Sequence, residues 1–185
     1  MDSMQRDRVK NSFRAYCLKR LQKAGNAANR YKKDKLVLER LYQYIIKNDA
    51  QKILLYLPLK TEVNLYPLIK RLRKEKRALY VPFMEGKSFR VVKYRLPLEK
   101  KRFGIKESKD SKQYRIRKLD MAIVPIVGMD ITHRRVGFGK GMYDRFFEKE
   151  IENINKTVFV ARELCYSGEI VTDHYDIKAD MIIMP

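Results

Sequence analysis

The sequence contains no tryptophan and only two cysteines and two histidines among 185 residues. Cys17 and Cys165 stand far apart and form no C-x-x-C or metal-binding pattern, so two ordinary reduced thiols are expected. His133 and His174 sit beside no nucleophile motif, which removes a serine protease-like triad. So few soft ligands also argue against zinc. The longest apolar run, around Ile53 to Leu59, falls well short of the ~20 residues that a bilayer-spanning helix needs. The opening stretch MDSMQRDRVKNSFR lacks the apolar region of a signal peptide. A cytoplasmic protein is therefore expected. No repeat, low-complexity tract or linker interrupts the chain, and a single domain spanning residues 1–185 is expected.

Acidic residues are scarce relative to basic ones, 22 against 42, which leaves a net charge of +20. That excess favours anionic partners: nucleic acid, acidic lipid, or a phosphorylated or polycarboxylate ligand. Much of it lies in runs such as Lys70 to Arg77, whose basic residues are interrupted at helical spacing, as on a solvated helix face. No zinc-finger pattern, RNP motif or heptad array accompanies the charge, so no specific nucleic-acid binding is expected. A basic nucleic-acid-binding module is kept as the rival reading of this composition.

Apolar residues recur at helical spacing at Val9, Phe13, Cys17 and Leu21, predicting a first helix that ends at Gly25, with Lys10 and Arg14 on one border of its apolar stripe. A second helix is predicted from Tyr31 to Asn48 and a third from Asn64 to Lys76. Between them, Ile53 to Leu57 is an unbroken apolar run stopped by Pro58, the mark of a strand covered on both faces. Further strands are predicted at Ala78 to Phe83, at Phe89 to Tyr94 near an edge, at Met121 to Val124, at Thr157 to Ala161 and at Met181 to Met184. Leu96 to Lys118 reads as polar and irregular. Strands alternating with helices imply right-handed crossovers and a three-layer, Rossmann-like α/β fold, a mainly parallel sheet with helices on both faces. Ligands of such sheets bind beyond the carboxyl ends of the strands, where the loops after Leu57, Val124 and Ala161 emerge.

The segment MAIVPIVGMDITHRRVGFGKGMYDRFF, Met121 to Phe147, carries the strongest functional signal. A buried strand gives way at Pro125 to a turn-rich loop with two arginines. Gly137, Gly139 and Gly141 follow on alternate positions, with Lys140 between the last two, and a helix opens near Met142, Tyr143 and Asp144. Glycines without Cβ bulk, outward amides and a helix N-terminus suit phosphate, and Asp144 suits an accompanying magnesium ion. The spacing matches neither the Walker A loop nor the dinucleotide G-x-G-x-x-G fingerprint. Composition alone leaves a phosphate cradle and a merely solvated loop both open.

The residues themselves narrow this. The run V-P-x-x-x-x-D-x-x-x-x-R-x-G-x-G-x-G-x-Y-D-R-F resembles the signature of the 5-formyltetrahydrofolate cyclo-ligase family, with Val124, Pro125, Asp130, Arg135, Gly137, Gly139, Gly141, Tyr143, Asp144 and Arg145 in place. The resemblance covers nearly the whole chain. It implies that Lys10 and Arg14 in K-N-S-F-R reach ATP phosphates from the first helix. It implies that Glu62, in the segment Leu57 to Val63, binds folate with Leu57 as a pocket wall. The loop Phe103-Gly104-Ile105-Lys106-Glu107 is similar to the family's G-I-x-E-P element, with Ser108 in place of proline. Asp176, in D-I-K-A-D, is implied to join Asp144 in holding Mg2+.

The resemblance thus implies an ATP- and magnesium-dependent ligase that closes 5-formyltetrahydrofolate to 5,10-methenyltetrahydrofolate, releasing ADP and phosphate. By that resemblance the formyl oxygen would attack the γ-phosphoryl group, giving an imidate phosphate, and N10 would then displace phosphate. Lys140 and Arg135 are the implied catalytic residues. Lys10, Arg14, Arg135, Gly137, Gly139, Lys140, Gly141 and Tyr143 would bind ATP; Leu57, Glu62, Met142 and Tyr143 would bind the folate. Three residues depart from the pattern: Met129 and Met142 replace aromatic residues, and Phe138 stands where several members carry a base. The basic surface also suits polyglutamylated folate tails. A monomer without membrane attachment is expected.

Overall fold

The computed structural model of the chain describes residues 3–100, 106–108, 114, 115 and 117–185. Its elements are α1 (Ser3–Asn26), α2 (Arg30–Lys47), β1 (Lys52–Leu54), α3 (Tyr66–Lys74), β2 (Ala78–Glu85), β3 (Ser88–Lys93), β4 (Leu98–Lys100) and β5 (Lys106–Ser108). There follow β6 (Met121–Pro125), β7 (Gly128–Asp130), β8 (Arg135–Val136), α4 (Met142–Glu150) with a 3-10 turn at Ile151–Asn153, β9 (Thr157–Val160), β10 (Tyr166–Ser167) and β11 (Met181–Ile183). The helix–strand alternation read from the sequence is present.

The apolar runs become the centre of a six-stranded sheet ordered β11-β9-β6-β1-β2-β3. Ile53 pairs in parallel with Leu79 of β2 and with Met121 of β6; Val124 pairs with Phe159 of β9, and Phe159 with Ile182 of β11. Only β3 runs antiparallel, joined to β2 by a tight turn in which Gly86 takes a φ of 56°. Successive strand residues point to opposite faces, and both faces are covered. Ile53, Leu55, Leu79, Val81, Met121, Ile123 and Val158 pack with Val37, Leu41 and Ile45 of α2 and with Leu68, Ile69 and Leu72 of α3. Leu54, Tyr80, Ala122, Val124 and Phe159 pack on the other side with Phe146 and Phe147 of α4.

The chain leaves β1 toward β2 on one side and leaves β6 toward β9 on the other. The crevice at the carboxyl ends of β1 and β6 is therefore the topological switch point, where open α/β sheets hold ligands. α1 joins neither face of the sheet. Its Cys17 and Leu21 pack with Val127 and Cys165, residues just beyond the carboxyl ends of β6 and β9, together with Phe13 and Phe138. This placement corrects two expectations. Val9 is exposed, and Lys10 turns inward instead. Cys17 and Cys165 are not separate thiols: they form a disulfide, with Cα atoms 5.6 Å apart. Their separation of 148 residues hid the pairing, which follows from α1 lying across the strand ends.

The turn-rich loop after β6 holds structure that periodicity did not show. β7 and β8 form a hairpin that β10 joins as a small second sheet. The expected irregular stretch after Tyr94 likewise contains the β4–β5 pair. Of the G-I-x-E-P-like loop, Phe103, Gly104 and Ile105 lie outside the described residues, while Glu107 is buried and accepts a hydrogen bond from the Met84 amide at 2.9 Å. Among the described residues, no helix is long and apolar enough to cross a membrane.

Candidate active site

Gly139 and Gly141 have φ values of 87° and 60°, in the left-handed region that a Cβ strains, so the loop turns sharply just before α4. No side chain caps α4, and its first amides lack intrahelical acceptors at a terminus where the dipole favours anions. The loop is braced from outside. Arg14 Nε donates to the Gly137 carbonyl at 2.8 Å, and the Arg145 guanidinium donates to the carbonyls of Lys140 and Lys87. The Lys140 side chain is exposed at the rim.

Beneath the loop lies Arg135, buried, with its Nε donating to the Pro125 carbonyl at 3.0 Å. A Cβ on Gly137 would come within 2.7 Å of that guanidinium, so Gly137 is needed for room rather than for backbone conformation. Arg135 stacks its charge 4.9 Å from the Tyr143 ring and approaches Asp144 Oδ1 to 3.8 Å. That separation is an ion pair but too long for a hydrogen bond, and Asp144 Oδ1 remains buried without a hydrogen-bond partner. Burial lowers the Arg135 pKa, against the pull of Asp144, Tyr143, Glu62 and Asp176. One guanidinium thus sits within electrostatic reach of four groups from three separate segments.

Across the cleft, Lys10 of α1 points at the segment before β11. Its Nζ donates to Asp173 Oδ2 at 2.9 Å and also to Asp176 Oδ2. Desolvation opposes the ammonium, but the hydrogen bonds and charges of Asp176 and Asp173 outweigh it and the Lys10 pKa is raised. Asp176 accepts the Asp173 amide at 2.7 Å, and its own carbonyl accepts from Arg134 at 2.9 Å. Asp130 anchors this segment. Its Oδ2 accepts from the amides of Val171 and Thr172 at 3.0 and 2.9 Å, while its Oδ1 holds the Thr132 amide at 3.0 Å.

On the β1 side, Glu62 Oε2 accepts the Leu59 amide at 2.7 Å. Burial pushes its pKa up to about 7, against the hydrogen bond and the charges of Arg135 and Arg162. It lines a cleft of about 260 Å³ together with Arg30, Pro58, Lys60, Tyr66 and Arg162. Leu57 is buried in the core just ahead of this cleft rather than among its lining residues. Tyr143 stands edge-on to Phe89 at 5.0 Å, and burial raises its hydroxyl pKa. Met142 is half-buried against the α4 cluster.

The model of the 5-formyltetrahydrofolate cyclo-ligase family matches residues 6–185. The chain belongs to that family. The 5-formyltetrahydrofolate cyclo-ligase of Haemophilus influenzae is 23% identical over 188 aligned positions, covering 96% of each chain. A solved 5,10-methenyltetrahydrofolate synthetase of Aquifex aeolicus superposes with a TM-score of 0.75 at 28% identity, over 95% of this chain and 89% of that one. The synthetase of Mycoplasma pneumoniae gives 0.72 at 22% identity, over 95% and 98%, and shares the fold.

Contacts and charge interactions link Lys10 to Asp176, Asp176 to Asp144, Asp144 to Arg135, and Arg135 to Tyr143 and Glu62, while Lys140 is exposed. Asp144 and Asp176 feel each other's charge, and the orphaned Asp144 oxygen is the kind of atom a cation would satisfy. Among the described residues no group of three or more ligating side chains is assembled. Two carboxylates suit magnesium all the same, because it keeps waters and takes its other ligands from substrate phosphates. Sequence reasoning missed Asp173, whose only signal was its place three residues before Asp176, and the buried pair of Asp34 and Arg162.

Proposed function

We propose that this cyclo-ligase family member converts 5-formyltetrahydrofolate to 5,10-methenyltetrahydrofolate, consuming ATP with magnesium and releasing ADP and phosphate. The carrying observation is the buried Arg135 beyond the carboxyl end of β6, which pairs with Asp144 at 3.8 Å, faces the Tyr143 ring at 4.9 Å and feels the charges of Glu62 and Asp176. A formamide oxygen is a poor leaving group and must be activated before ring closure. The formyl oxygen attacks the γ-phosphorus, ADP leaves, N10 attacks the resulting imidate phosphate carbon, and phosphate departs. No protein nucleophile is needed, so the protein contributes position and charge.

In this reading the loop amides, Lys140, Lys10 and Arg14 hold the triphosphate, and Arg135 faces the transferring group. Asp144 and Asp176 hold magnesium, which when bound offsets charge on the phosphate oxygens. Glu62 orients the folate, with Leu57 behind it, and Met142 and Tyr143 flank the reacting end. Residues 1–185 act as one domain and one monomer. The test is the absorbance of the methenyl product from 5-formyltetrahydrofolate and Mg-ATP. Product with one ADP and one phosphate per turnover is expected, and its absence from folded protein overturns the reading.

A further inference from the structure

The segment that carries Glu62 has no regular secondary structure, yet its backbone is held from two distant parts of the chain. Arg162, just beyond β9 and 3% exposed, donates Nε to Asp34 Oδ1 at 2.7 Å and Nη2 to Asp34 Oδ2 at 3.0 Å. Its remaining donors go to the segment itself: Nη1 to the Thr61 carbonyl at 3.0 Å and Nη2 to the Glu62 carbonyl at 2.6 Å. Asp34 of α2, 6% exposed, completes the bracket by accepting the Asn64 amide at 3.2 Å. The planar guanidinium fork is what allows one side chain to grip a carboxylate and two carbonyls together. Gly25, near the end of α1, closes over the same place, where an added Cβ would stand 3.5 Å from both Arg162 and Thr61.

A buried ion pair is weak evidence for stability, because apolar residues of equal volume often serve a core as well or better. What apolar residues cannot do is hold two adjacent carbonyls and an amide of a loop at fixed positions. We infer that Asp34 and Arg162 are positioning residues for the folate half of the reaction, fixing the Thr61–Asn64 backbone so that the Glu62 carboxyl meets its substrate. Neither touches the phosphate side. The inference rests on the proposed folate role of Glu62 and adds to it the residues that set its aim.

The experiment is steady-state kinetics of the full chain, varying 5-formyltetrahydrofolate and Mg-ATP separately, with thermal unfolding of every variant. The decisive variant is the double replacement Asp34→Leu with Arg162→Met, which removes both charges together. Because it also strips the hydrogen bonds of the Thr61 and Glu62 carbonyls and the Asn64 amide, it should unfold somewhat below the wild-type temperature but stay folded, and show a KM for the folate raised roughly tenfold to a hundredfold. Its KM for ATP should stay within about twofold of wild type. Arg162→Lys keeps the charge but loses the fork, and should shift the folate KM in the same direction by less. A merely structural pair would move unfolding temperature and both constants together. If the folded double variant, or Arg162→Lys should the double variant not fold, keeps the wild-type folate KM, the inference is overturned. Absence of product from the wild type itself would instead overturn the catalytic reading, and this inference with it.

Discussion

Lys10 and Asp176, 166 residues apart in sequence, form a buried ion pair at the mouth of the cleft. The residue proposed to meet ATP phosphate is thus already bound to a residue proposed to meet magnesium, and Asp173 shares the same ammonium at 2.9 Å. On that proposal, Mg-ATP would exchange partners within an existing cluster rather than assemble isolated charges. Lys10→Met should leave the buried Asp176 carboxylate without the cation that hydrogen-bonds it and cost about 3 kcal/mol of stability. It should also raise the KM for ATP. Lower stability in thermal unfolding with an unchanged ATP constant would confine Lys10 to a structural role.

The exposed side chain of Lys140 makes the opposite prediction. Lys140→Ala should leave stability within about 0.5 kcal/mol of wild type, as for other surface substitutions. Turnover should nevertheless fall on the order of 10²-fold, the loss typical of a donor aimed at developing charge. Single-turnover and unfolding measurements on one preparation separate the two effects. Normal turnover would show that the loop amides suffice.

Asp144→Asn removes the charge from a buried oxygen that has no hydrogen-bond partner. A neutral amide is a weaker ligand for a hard cation, so half-maximal activity should require a much higher magnesium concentration. A superimposable magnesium titration would reduce Asp144 to an ion-pair partner of Arg135.

Glu62 predicts a pH dependence. Its folded pKa of about 7 lies above the ordinary value of 4.5, so the folded state holds a proton that the unfolded chain has released between those values. Stability should therefore fall as pH rises from 4.5 to 7 and level off above that, the reverse of an ordinary salt-bridged carboxylate. Glu62→Gln should flatten this slope in denaturant titrations. The same substitution should remove any inflection near neutrality in the folate KM. A slope that persists in the variant would have to be assigned to another group.

The sheet was legible because its central strands are covered on both faces and so read as unbroken apolar runs, as in Met121 to Val124. The glycine loop was legible because Gly139 and Gly141 occupy conformations that other residues strain to adopt. The inward turn of Lys10 was not. Helical periodicity assigns Val9 to the buried stripe, and only the two carboxylates waiting on a distant segment reverse that order. The same holds for Asp34 and Arg162, which look like solvated charges until the fold sets them side by side. Short strands such as β7 and β8 carry too few residues for a period to show.

The site draws on both ends of the chain at once: Lys10 with Asp173 and Asp176, Asp34 with Arg162, and Cys17 with Cys165. A ribosome making this protein releases α1, β1 and β6 well before the residues that complete the cleft. Until the segment from 157 to 183 has emerged and β9 and β11 have docked, the nascent chain has its Gly137–Gly141 loop but neither Asp176 beside it nor the clamp on Glu62. On the proposed roles of these residues, prematurely terminated chains should be unable to turn over ATP.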